Sequence, residues 1–332
     1  MIKKVKIEDA VGLPLGADVT QIIPQKYKGP LFRTGHVISK KDLDMLRMIG
    51  KEYVWIYEKQ EGFIHQDEAS LRIANSLIDE SLYVSEPSEG WAIIKAKESG
   101  IFLGDDKIAK KINGFNRTIL TTIENYSLVS GNQQVAKCKI TSIETNERLL
   151  DKIESIGKDL KKDNKSALRV VKPMIKRFGV IVTGSEVYYG LVEDAATEKV
   201  IEKLKPYGAQ VVFNKIVRDD KTEIKKAIDE AIQRKVEAII LTGGMGPDPD
   251  DATASSIKEA GGKILRYGVP VNPASMSLIA SIGDIPLLGI SAGFISFKKS
   301  FLDFILPRIL VKEKITKREI ASWGLGGILR QD

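Results

Sequence analysis

The chain has 332 residues, a length that favours two or more domains over one. Hydrophobic residues make up 43% and charged residues 29%, a balance that is typical of a folded globular protein and argues against disorder. The sequence shows neither a signal-peptide pattern nor an apolar run of about 18 residues, so we expect a cytoplasmic location and no membrane partner.

The single cysteine, Cys138, and the two histidines, His36 and His65, exclude an internal disulfide and a clustered zinc site. A bound metal would have to be a hard ion held by carboxylates. The formal net charge of +7 favours anionic partners. However, the lysines are dispersed, and the pair Lys161-Lys162 has no interleaved aromatic residue. We therefore expect no nucleic-acid partner and regard a small phosphorylated ligand as the better match for this charge.

The first 150 residues consist of short strand patterns separated by turns. Residues 1–60 predict a small β-rich module with strands at 5–7, 17–23 and 53–57 and a helix at 41–49. Residues 61–150 predict a second β-rich module of α+β type. Its clearest helix is 66–81, where apolar residues recur at helical spacing. The lysine-rich segment 151–172 predicts a linker helix.

After Pro173 the pattern alternates between strands and helices, which predicts an α/β domain with a mostly parallel sheet. The predicted strands are 178–183, 209–217, 236–241 and 285–290. The predicted helices are 195–204, 222–234, 254–260 and 294–310. This domain spans residues 173–318, and residues 319–332 form a C-terminal tail.

The loop after the third of these strands is rich in glycine and aspartate. Gly243, Gly244 and Gly246 allow positive φ and leave backbone N–H groups open to an anion. The following helix begins near Asp251 or Thr253, either of which is a suitable N-cap. The aspartates at 248, 250 and 251 would repel a bare phosphate, so they indicate Mg²⁺ or a neutral polar group of a ligand. The alternative is a glycine-rich turn with capping aspartates.

Two other strand ends carry polar residues that we expect at the same edge of the sheet. Thr183-Gly184-Ser185-Glu186 follows the first strand, and Glu186 is a suitable metal ligand or hydrogen-bond acceptor. The alternative is a tight strand exit. Val217-Arg-Asp-Asp220 follows the second strand. There, either Asp219 or Asp220 would serve a site, and Asp220 alternatively caps the next helix.

A third motif, Gly289-Ile-Ser-Ala-Gly293, fits the G-x-S-x-G pattern of a nucleophile elbow between a strand and a helix. The catalytic triad of that class requires a histidine after the serine. No histidine follows His65, so a serine hydrolase of this kind is excluded.

Residues 242–253, T-G-G-M-G-P-D-P-D-D-A-T, closely resemble the T-G-G-x-G-x-x-x-x-D-x-T signature of the molybdopterin-binding fold. Molybdenum-cofactor biosynthesis proteins and competence-damage-type proteins share this fold. T-G-S-E-V at 183–187 is similar to the T-G-[DS]-E-[LV] element of the molybdotransferase branch. The resemblance implies a three-layer α/β/α domain. It also implies a functional acid after the second strand, a place that Asp219 occupies best.

The chain departs from the molybdotransferase pattern at two places. Ser291-Ala-Gly293 stands where this fold carries a Pro-Gly-Asn-Pro-like turn, and Ser291 would there donate a hydrogen bond to the ligand. The segment 87–92, P-S-E-G-W-A, is the nearest counterpart of N-S-A-M-D-G-Y-A, but it lacks the aspartate that in those enzymes reaches the active site of a partner subunit. Whether Glu89 replaces that aspartate is left open by the sequence.

The resemblance implies that the protein binds molybdopterin or adenylated molybdopterin and inserts molybdate with release of AMP, assisted by Mg²⁺. The implied catalytic residues are Glu186, Asp219 and Asp251, with Asp219 and Asp251 also as metal ligands. The implied cofactor-binding residues are Thr183, Gly184, Ser185, Asp220, Thr242, Gly243, Gly244, Met245, Gly246, Asp250, Thr253 and Ser291.

Two alternatives remain open at the level of sequence. One is a non-catalytic carrier or sorting module that delivers molybdopterin to a client molybdoenzyme. The other is a molybdopterin adenylyltransferase or a nucleotide pyrophosphatase of the same fold. A homodimer is implied by the resemblance alone.

Overall fold

The structure is a computed structural model that describes residues 2–246 and 252–331. The chain divides into two compact units, Met1–Val171 (unit 1) and Lys172–Asp332 (unit 2). The finer division into modules at residues 60 and 150 stays a prediction. No helix in the described part of the chain combines the length and the apolar character that crossing a membrane requires.

Unit 1 is built from short strands and four described helices. Its helices are α1 (Asp42–Met48), α2 (Gln66–Leu77), α3 (Asp106–Asn113) and α4 (Glu147–Lys162). Its strands are β1 (Ile2–Lys6), β2 (Val19–Ile23), β3 (Tyr27–Phe32), β4 (Tyr53–Tyr57), β5 (Phe63–His65), β6 (Leu82–Val84), β7 (Ala92–Ala96), β8 (Gly100–Gly104), β9 (Thr118–Thr122), β10 (Leu128–Val129), β11 (Gln134–Ile140), β12 (Glu144–Asn146) and β13 (Leu168–Val171).

The segment predicted as a linker helix is a packed helix of unit 1. In α4, Leu150, Ile153 and Ile156 are buried in the same core as Ile73 and Leu77 of α2. The two helices come so close that a Cβ at Gly157 of α4 would overlap the carbonyl oxygen of Ser76 in α2. The lysines of α4 are exposed to solvent. Because they are so numerous, the composition of this segment resembles that of a linker.

Unit 2 contains a sheet of six described strands in the order β15-β14-β16-β19-β18-β17. The strands are β14 (Arg177–Thr183), β15 (Gln210–Val217), β16 (Ala238–Thr242), β17 (Lys263–Tyr267), β18 (Leu278–Ile282) and β19 (Ile285–Ile290). The helices are α5 (Ser185–Tyr188), α6 (Ala195–Leu204), α7 (Lys221–Gln233), α8 (Thr253–Glu259), α9 (Phe301–Leu310) and α10 (Lys317–Ser322), with 3₁₀ turns at Lys205–Tyr207 and Ala292–Ser296.

The predicted α/β class and the mostly parallel sheet are confirmed. β15, β14, β16 and β19 pair in parallel, whereas β18 runs antiparallel to both β19 and β17. On one face, Ile181 of β14 packs with Ile228 of α7 and Ile257 of α8. On the other face α6 and α9 meet, where Lys203 forms an ion pair with Asp303 at 2.8 Å. Unit 2 therefore has three layers.

Several element predictions need correction. The predicted helix 294–310 is a 3₁₀ turn followed by α9, which starts only at Phe301 because Ser300 and Asp303 form a capping box. The helix predicted to reach residue 81 ends at Leu77. The sequence pattern gave no indication of β17, β18, α3 or β3. β3 contains the pair Gly29-Pro30, a dipeptide that is more usual in turns than inside a strand.

Candidate functional site

The predicted site segments follow three neighbouring parallel strands. Thr183 at the end of β14 pairs with Val217 at the end of β15, and Val182 pairs with Thr242 at the end of β16. α5, α7 and α8 are the next described helices after these strands. The carboxyl ends of parallel strands are where open α/β sheets bind their ligands. The three segments therefore share one edge of the sheet, as the sequence predicted.

Gly243 fixes the start of the loop against the end of β14. Its φ is +97°, and an added Cβ would overlap the carbonyl oxygen of Thr183 and lie 2.6 Å from the hydroxyl oxygen of the same residue. Only glycine tolerates both the positive φ and this close approach. The backbone of the glycine loop and the T-G-S-E segment are therefore in direct contact.

Gly244 brings the loop against the acid that follows β15. Its φ is +56°, and a Cβ there would overlap Oδ1 of Asp219 and lie 2.8 Å from Oγ1 of Thr253. Thr253 donates a hydrogen bond from Oγ1 to the Gly243 carbonyl at 3.0 Å. The structure thus brings together four predicted site residues from two strand ends: Asp219, Gly243, Gly244 and Thr253.

The predicted capping role of Thr253 is wrong. α8 begins at Thr253 itself, with Ala252 as the N-cap residue and no side-chain cap. The hydroxyl instead donates to the Gly243 carbonyl, which lies within hydrogen-bond distance of this first residue of the helix. Thr253 therefore stabilises the glycine loop rather than the start of the helix.

Two buried threonine hydroxyls lie at the ends of the central strands. Thr183 and Thr242 are 4% and 1% exposed, and neither Oγ1 atom has a hydrogen-bond partner among the described residues. An unsatisfied buried hydroxyl costs about 1–3 kcal/mol relative to a paired one. Oδ1 of Asp219 is shielded from solvent as well. The floor of the site is therefore polar and sheltered.

The far side of the loop is anchored by residues of the antiparallel part of the sheet. Met245 is buried, and its sulfur packs so closely on β19 that a Cβ at Gly289 would overlap it. The Tyr267 hydroxyl donates to the Met245 carbonyl at 3.0 Å and lies 3.5 Å from the Gly246 carbonyl oxygen. Tyr267 was not among the predicted site residues, because it lies on β17, which the sequence pattern did not indicate.

The T-G-S-E segment forms a sharp exit from β14. Gly184 has a φ of +148°, and its N–H donates to the Val217 carbonyl at 3.3 Å. Ser185 and Glu186 are exposed on the short helix α5, and a Cβ at Gly184 would lie 3.4 Å from the Glu186 carboxylate. The catalytic role predicted for Glu186 and the binding roles of Gly184 and Ser185 stay predictions.

Arg218, which directly precedes Asp219 in the chain, was not among the predicted site residues. Its guanidinium forms an ion pair with Glu223 and lies 5.7 Å from the centre of the Tyr188 ring. Hydrogen bonding to the Glu223 carboxylate raises the pKa of Arg218, with a smaller contribution from Tyr189. The signal in the sequence was a basic residue directly before the two aspartates at the end of β15.

Asp220 and Ser291 lie at the ends of strands, and both form hydrogen bonds with other residues of unit 2. Asp220 caps α7, because its Oδ1 accepts hydrogen bonds from the N–H groups of Thr222 and Glu223 at 2.9 and 3.0 Å. The backbone N–H of Ser291 donates to Oγ of Ser277 at 3.1 Å. The ligand-binding roles predicted for both residues remain untested.

The predicted Asp250 and Asp251 lie outside the described residues. Within residues 2–246 and 252–331, no group of three or more His, Cys, Asp or Glu side chains is arranged to hold a metal ion. Asp219 is the one residue of the predicted metal pair that the structure describes. The described donors alone therefore do not constitute a Mg²⁺ site, and the metal stays a prediction.

Glu89, in the segment that departs from the molybdotransferase pattern, is bonded within unit 1. It has a left-handed φ of +53°, its N–H donates to Asp18 at 2.8 Å, and its carboxylate accepts from the Thr20 hydroxyl. Lys139 donates to the Glu89 carbonyl at 2.9 Å. In this structure the residue joins three segments of unit 1.

Comparison with known families agrees with the predicted family for part of unit 2. Residues 179–310 match a family model described as "Probable molybdopterin binding domain". This region contains all the described site residues named above for unit 2. Residues 4–58 match a second model, described as a domain of unknown function.

Three curated relatives show how far the similarity extends. A "CinA-like protein" of Fusobacterium nucleatum is 39% identical over 94 residues, which are 28% of this chain and 22% of that protein. A "Putative molybdopterin biosynthesis protein" of Methanocaldococcus jannaschii is 27% identical over 71% of this chain and 64% of its own length. A "Molybdopterin adenylyltransferase" of Pyrococcus furiosus is 38% identical over 29% of this chain and 56% of that protein. The chain thus spans between 22% and 64% of the lengths of these relatives.

Proposed function

We propose that unit 2 binds molybdopterin or its adenylated form at the edge formed by the ends of β14, β15 and β16, and that the protein acts in molybdenum-cofactor biosynthesis. The observation that carries the proposal is the contact of the Asp219 carboxylate and the Thr253 hydroxyl with the backbone at Gly244. This arrangement places an acceptor for pterin N–H groups beside Gly243 and Gly244, where no side chain keeps a phosphate from the backbone.

The two buried threonines support a polar ligand at this edge. Thr183 and Thr242 keep hydroxyl groups without partners among the described residues, whereas valine would fill the same space without that cost. A ligand that supplied hydrogen-bond partners would recover the cost on binding.

The reaction that we propose is the insertion of molybdate into adenylated molybdopterin with release of AMP. In this reaction the glycine loop holds the terminal phosphate, Asp219 orients the pterin, and the buried floor excludes water from the reacting groups. Mg²⁺, if bound, would neutralise negative charge on the phosphate. The described residues include no group of three or more ligating side chains that could hold such an ion, so no step is derived from it.

The test is AMP release from adenylated molybdopterin with and without molybdate, measured together with ligand binding by calorimetry. We expect Asp219→Asn to weaken binding and molybdate-dependent AMP release at least tenfold, because it removes a charge-assisted hydrogen bond worth about 1.5–3 kcal/mol. Asp229→Asn is the matched control, since Asp229 pairs with Lys225 on α7. Unchanged binding in Asp219→Asn would contradict the proposed site.

The same assay separates the alternative functions. The similarity to an adenylyltransferase over 96 residues favours adenylation as the second candidate, which predicts ATP consumption with molybdopterin instead of AMP release from the adenylated form. The engagement of Glu89 within unit 1 favours a carrier, which predicts tight ligand binding without turnover. Cleavage of ADP-ribose would identify a pyrophosphatase.

A further inference from the structure

A cavity of about 750 Å³ opens in unit 1 where α2 and α4 end. Its wall combines residues from the end of α2 and the following turn, from the end of α4 and from β13. The N–H of Ala167 donates to the Leu77 carbonyl at 2.9 Å and holds the segment before β13 beside the end of α2. The volume lies in the range of about 300–1,000 Å³ that is usual for small-ligand sites.

The wall of this cavity is basic. Four cationic and two anionic side chains line it: Lys97, Lys161, Lys165, Arg169, Asp79 and Glu80. Four positive minus two negative charges leave a net charge of +2. The Asp79 carboxylate is already used by its own turn, because its Oδ1 accepts from the N–H and the hydroxyl of Ser81 at 3.0 and 2.5 Å. The cavity therefore favours an anion.

Two of these cations, Lys161 and Lys165, interact with groups at the C-terminal ends of α2 and α4. Carbonyl groups at a helix C-terminus carry partial negative charge, and Lys161 donates to the Asn75 carbonyl at 3.4 Å. Lys165 lies 3.7 Å from the exposed Asp163 carboxylate, a weak pair. Lys97 and Arg169 form no ion pair with any residue in the described part of the chain. These two cations remain available to a ligand.

Neutral polar groups add donors to the same wall. Ser166 is 6% exposed, and its hydroxyl has no hydrogen-bond partner among residues 2–246 and 252–331. Asn164 also lines the cavity, whereas the side-chain amide of Asn75 donates to the Leu71 carbonyl at 2.9 Å. Such groups suit the hydroxyls of a ligand, whereas a bare inorganic ion would leave most of them unused.

Among the described residues, the cavity wall lacks an aromatic side chain on which a flat ring could stack. None of the described residues that line it is aromatic, and its aliphatic members, Ile78 and Leu82, are 8% and 2% exposed. A nucleobase or a pterin is normally bound by stacking on an aromatic or apolar face. The ligand of this cavity therefore differs in class from the pterin proposed for unit 2.

We propose that the cavity binds a small, non-aromatic phosphate monoester of the sugar-phosphate type. Arg169 and Lys97 bind the phosphate group, with Arg169 suited to bidentate contact, and Ser166 and Asn164 bind the hydroxyl groups. The proposal rests on residues of unit 1 alone. Its test is therefore independent of the function proposed for unit 2.

The experiment is calorimetric titration of the full chain with ribose 5-phosphate, ribose, inorganic phosphate and AMP. Ribose 5-phosphate is expected to bind, and ribose at least tenfold more weakly. The double variant Lys97→Gln/Arg169→Gln is expected to bind ribose 5-phosphate at least tenfold more weakly than the unaltered chain. Ser166→Ala is expected to weaken binding several-fold without lowering the melting temperature, since it removes an unpaired buried hydroxyl.

The control is Lys107→Gln/Lys152→Gln, which removes the same charge from exposed lysines of unit 1 outside the cavity wall. We expect it to bind ribose 5-phosphate like the unaltered chain. Equal weakening in both double variants would indicate non-specific attraction and overturn the proposal. Absence of binding, or AMP binding more tightly than ribose 5-phosphate with the same dependence on Arg169, would also overturn it.

Discussion

At the scale of single residues, the contact between Gly244 and Asp219 can be tested by adding one methyl group. Gly244→Ala places a Cβ onto Oδ1 of Asp219 at a φ of +56°. We expect the free energy of unfolding to fall by roughly 1–3 kcal/mol and molybdopterin binding to weaken at least tenfold, because Asp219 must move. Urea denaturation and calorimetry measure the two effects.

Gly261→Ala is the control for that substitution. Gly261 has a φ of +82°, but a Cβ there would meet no atom within 4 Å. It should therefore show the cost of the left-handed backbone, about 1 kcal/mol, with unchanged ligand binding. Equal loss of binding in both variants would show that backbone strain, and not displacement of Asp219, is responsible.

The buried Cys138 thiol predicts a pH dependence. Burial raises its pKa to about 12, so the thiol stays protonated in the folded chain after it would ionise in the unfolded chain. The stability that the protonated Cys138 thiol contributes is fully present below about pH 9, the pKa of this thiol in the unfolded chain. It is lost as the pH rises from about 9 to about 12. The slope is at most about 1.4 kcal/mol per pH unit. Urea denaturation of the unaltered chain and of Cys138→Ala between pH 8 and 11 should show a shallower decline in the variant; parallel curves would contradict the assignment.

At the scale of elements, the close approach of α2 and α4 depends on Gly157. Alanine is the better helix former by about 1 kcal/mol. Even so, we expect Gly157→Ala to destabilise unit 1 by about 1–3 kcal/mol, since its Cβ would overlap the Ser76 carbonyl oxygen and separate the helices. Ser155→Ala on the exposed side of α4 should change stability by less than about 0.5 kcal/mol. Circular dichroism during urea titration measures both; a stabilised Gly157→Ala would mean that the helices are further apart.

The elements that the sequence predicted well are those whose burial is visible in local composition. β14 and β16 are buried runs rich in β-branched residues, and α7 has a clear apolar stripe. In contrast, β17 is mostly exposed, and β18 follows a stretch rich in glycine, proline and serine that is typical of a loop. Their pairing depends on contacts across the sheet, which local patterns do not contain.

In the candidate site too, some features were predictable from local sequence and others depend on tertiary contacts. The shared edge of Asp219 and the glycine loop was predictable, because parallel strands end together. The use of Thr253 to hold the loop, the anchoring by Tyr267 and the packing of Met245 on Gly289 were not predictable from the sequence. Each is set by tertiary packing between segments separated by 10 to 44 residues in sequence.

At the scale of the whole molecule, each unit has its own hydrophobic core. One core joins α2, α4 and the surrounding strands in unit 1, and another joins the central sheet with α7 and α8 in unit 2. We therefore expect residues 172–332 to fold when expressed alone and to bind molybdopterin as the full chain does. Far-UV circular dichroism and a cooperative thermal transition would confirm folding. A non-cooperative transition would show that unit 2 depends on unit 1.

The two threonine hydroxyls at the ends of β14 and β16 have a consequence for how the ligand can be found. A protein that leaves buried polar groups unpaired is less stable than its packing permits, and a compound that pairs them raises the melting temperature in proportion to the logarithm of its concentration. Because the hydroxyls of Thr183 and Thr242 have no partners among the described residues, we expect a ligand that pairs them to raise the melting temperature. Thermal screening of pterins and nucleotides, repeated with Thr183→Val/Thr242→Val, connects a measured stabilisation to this site.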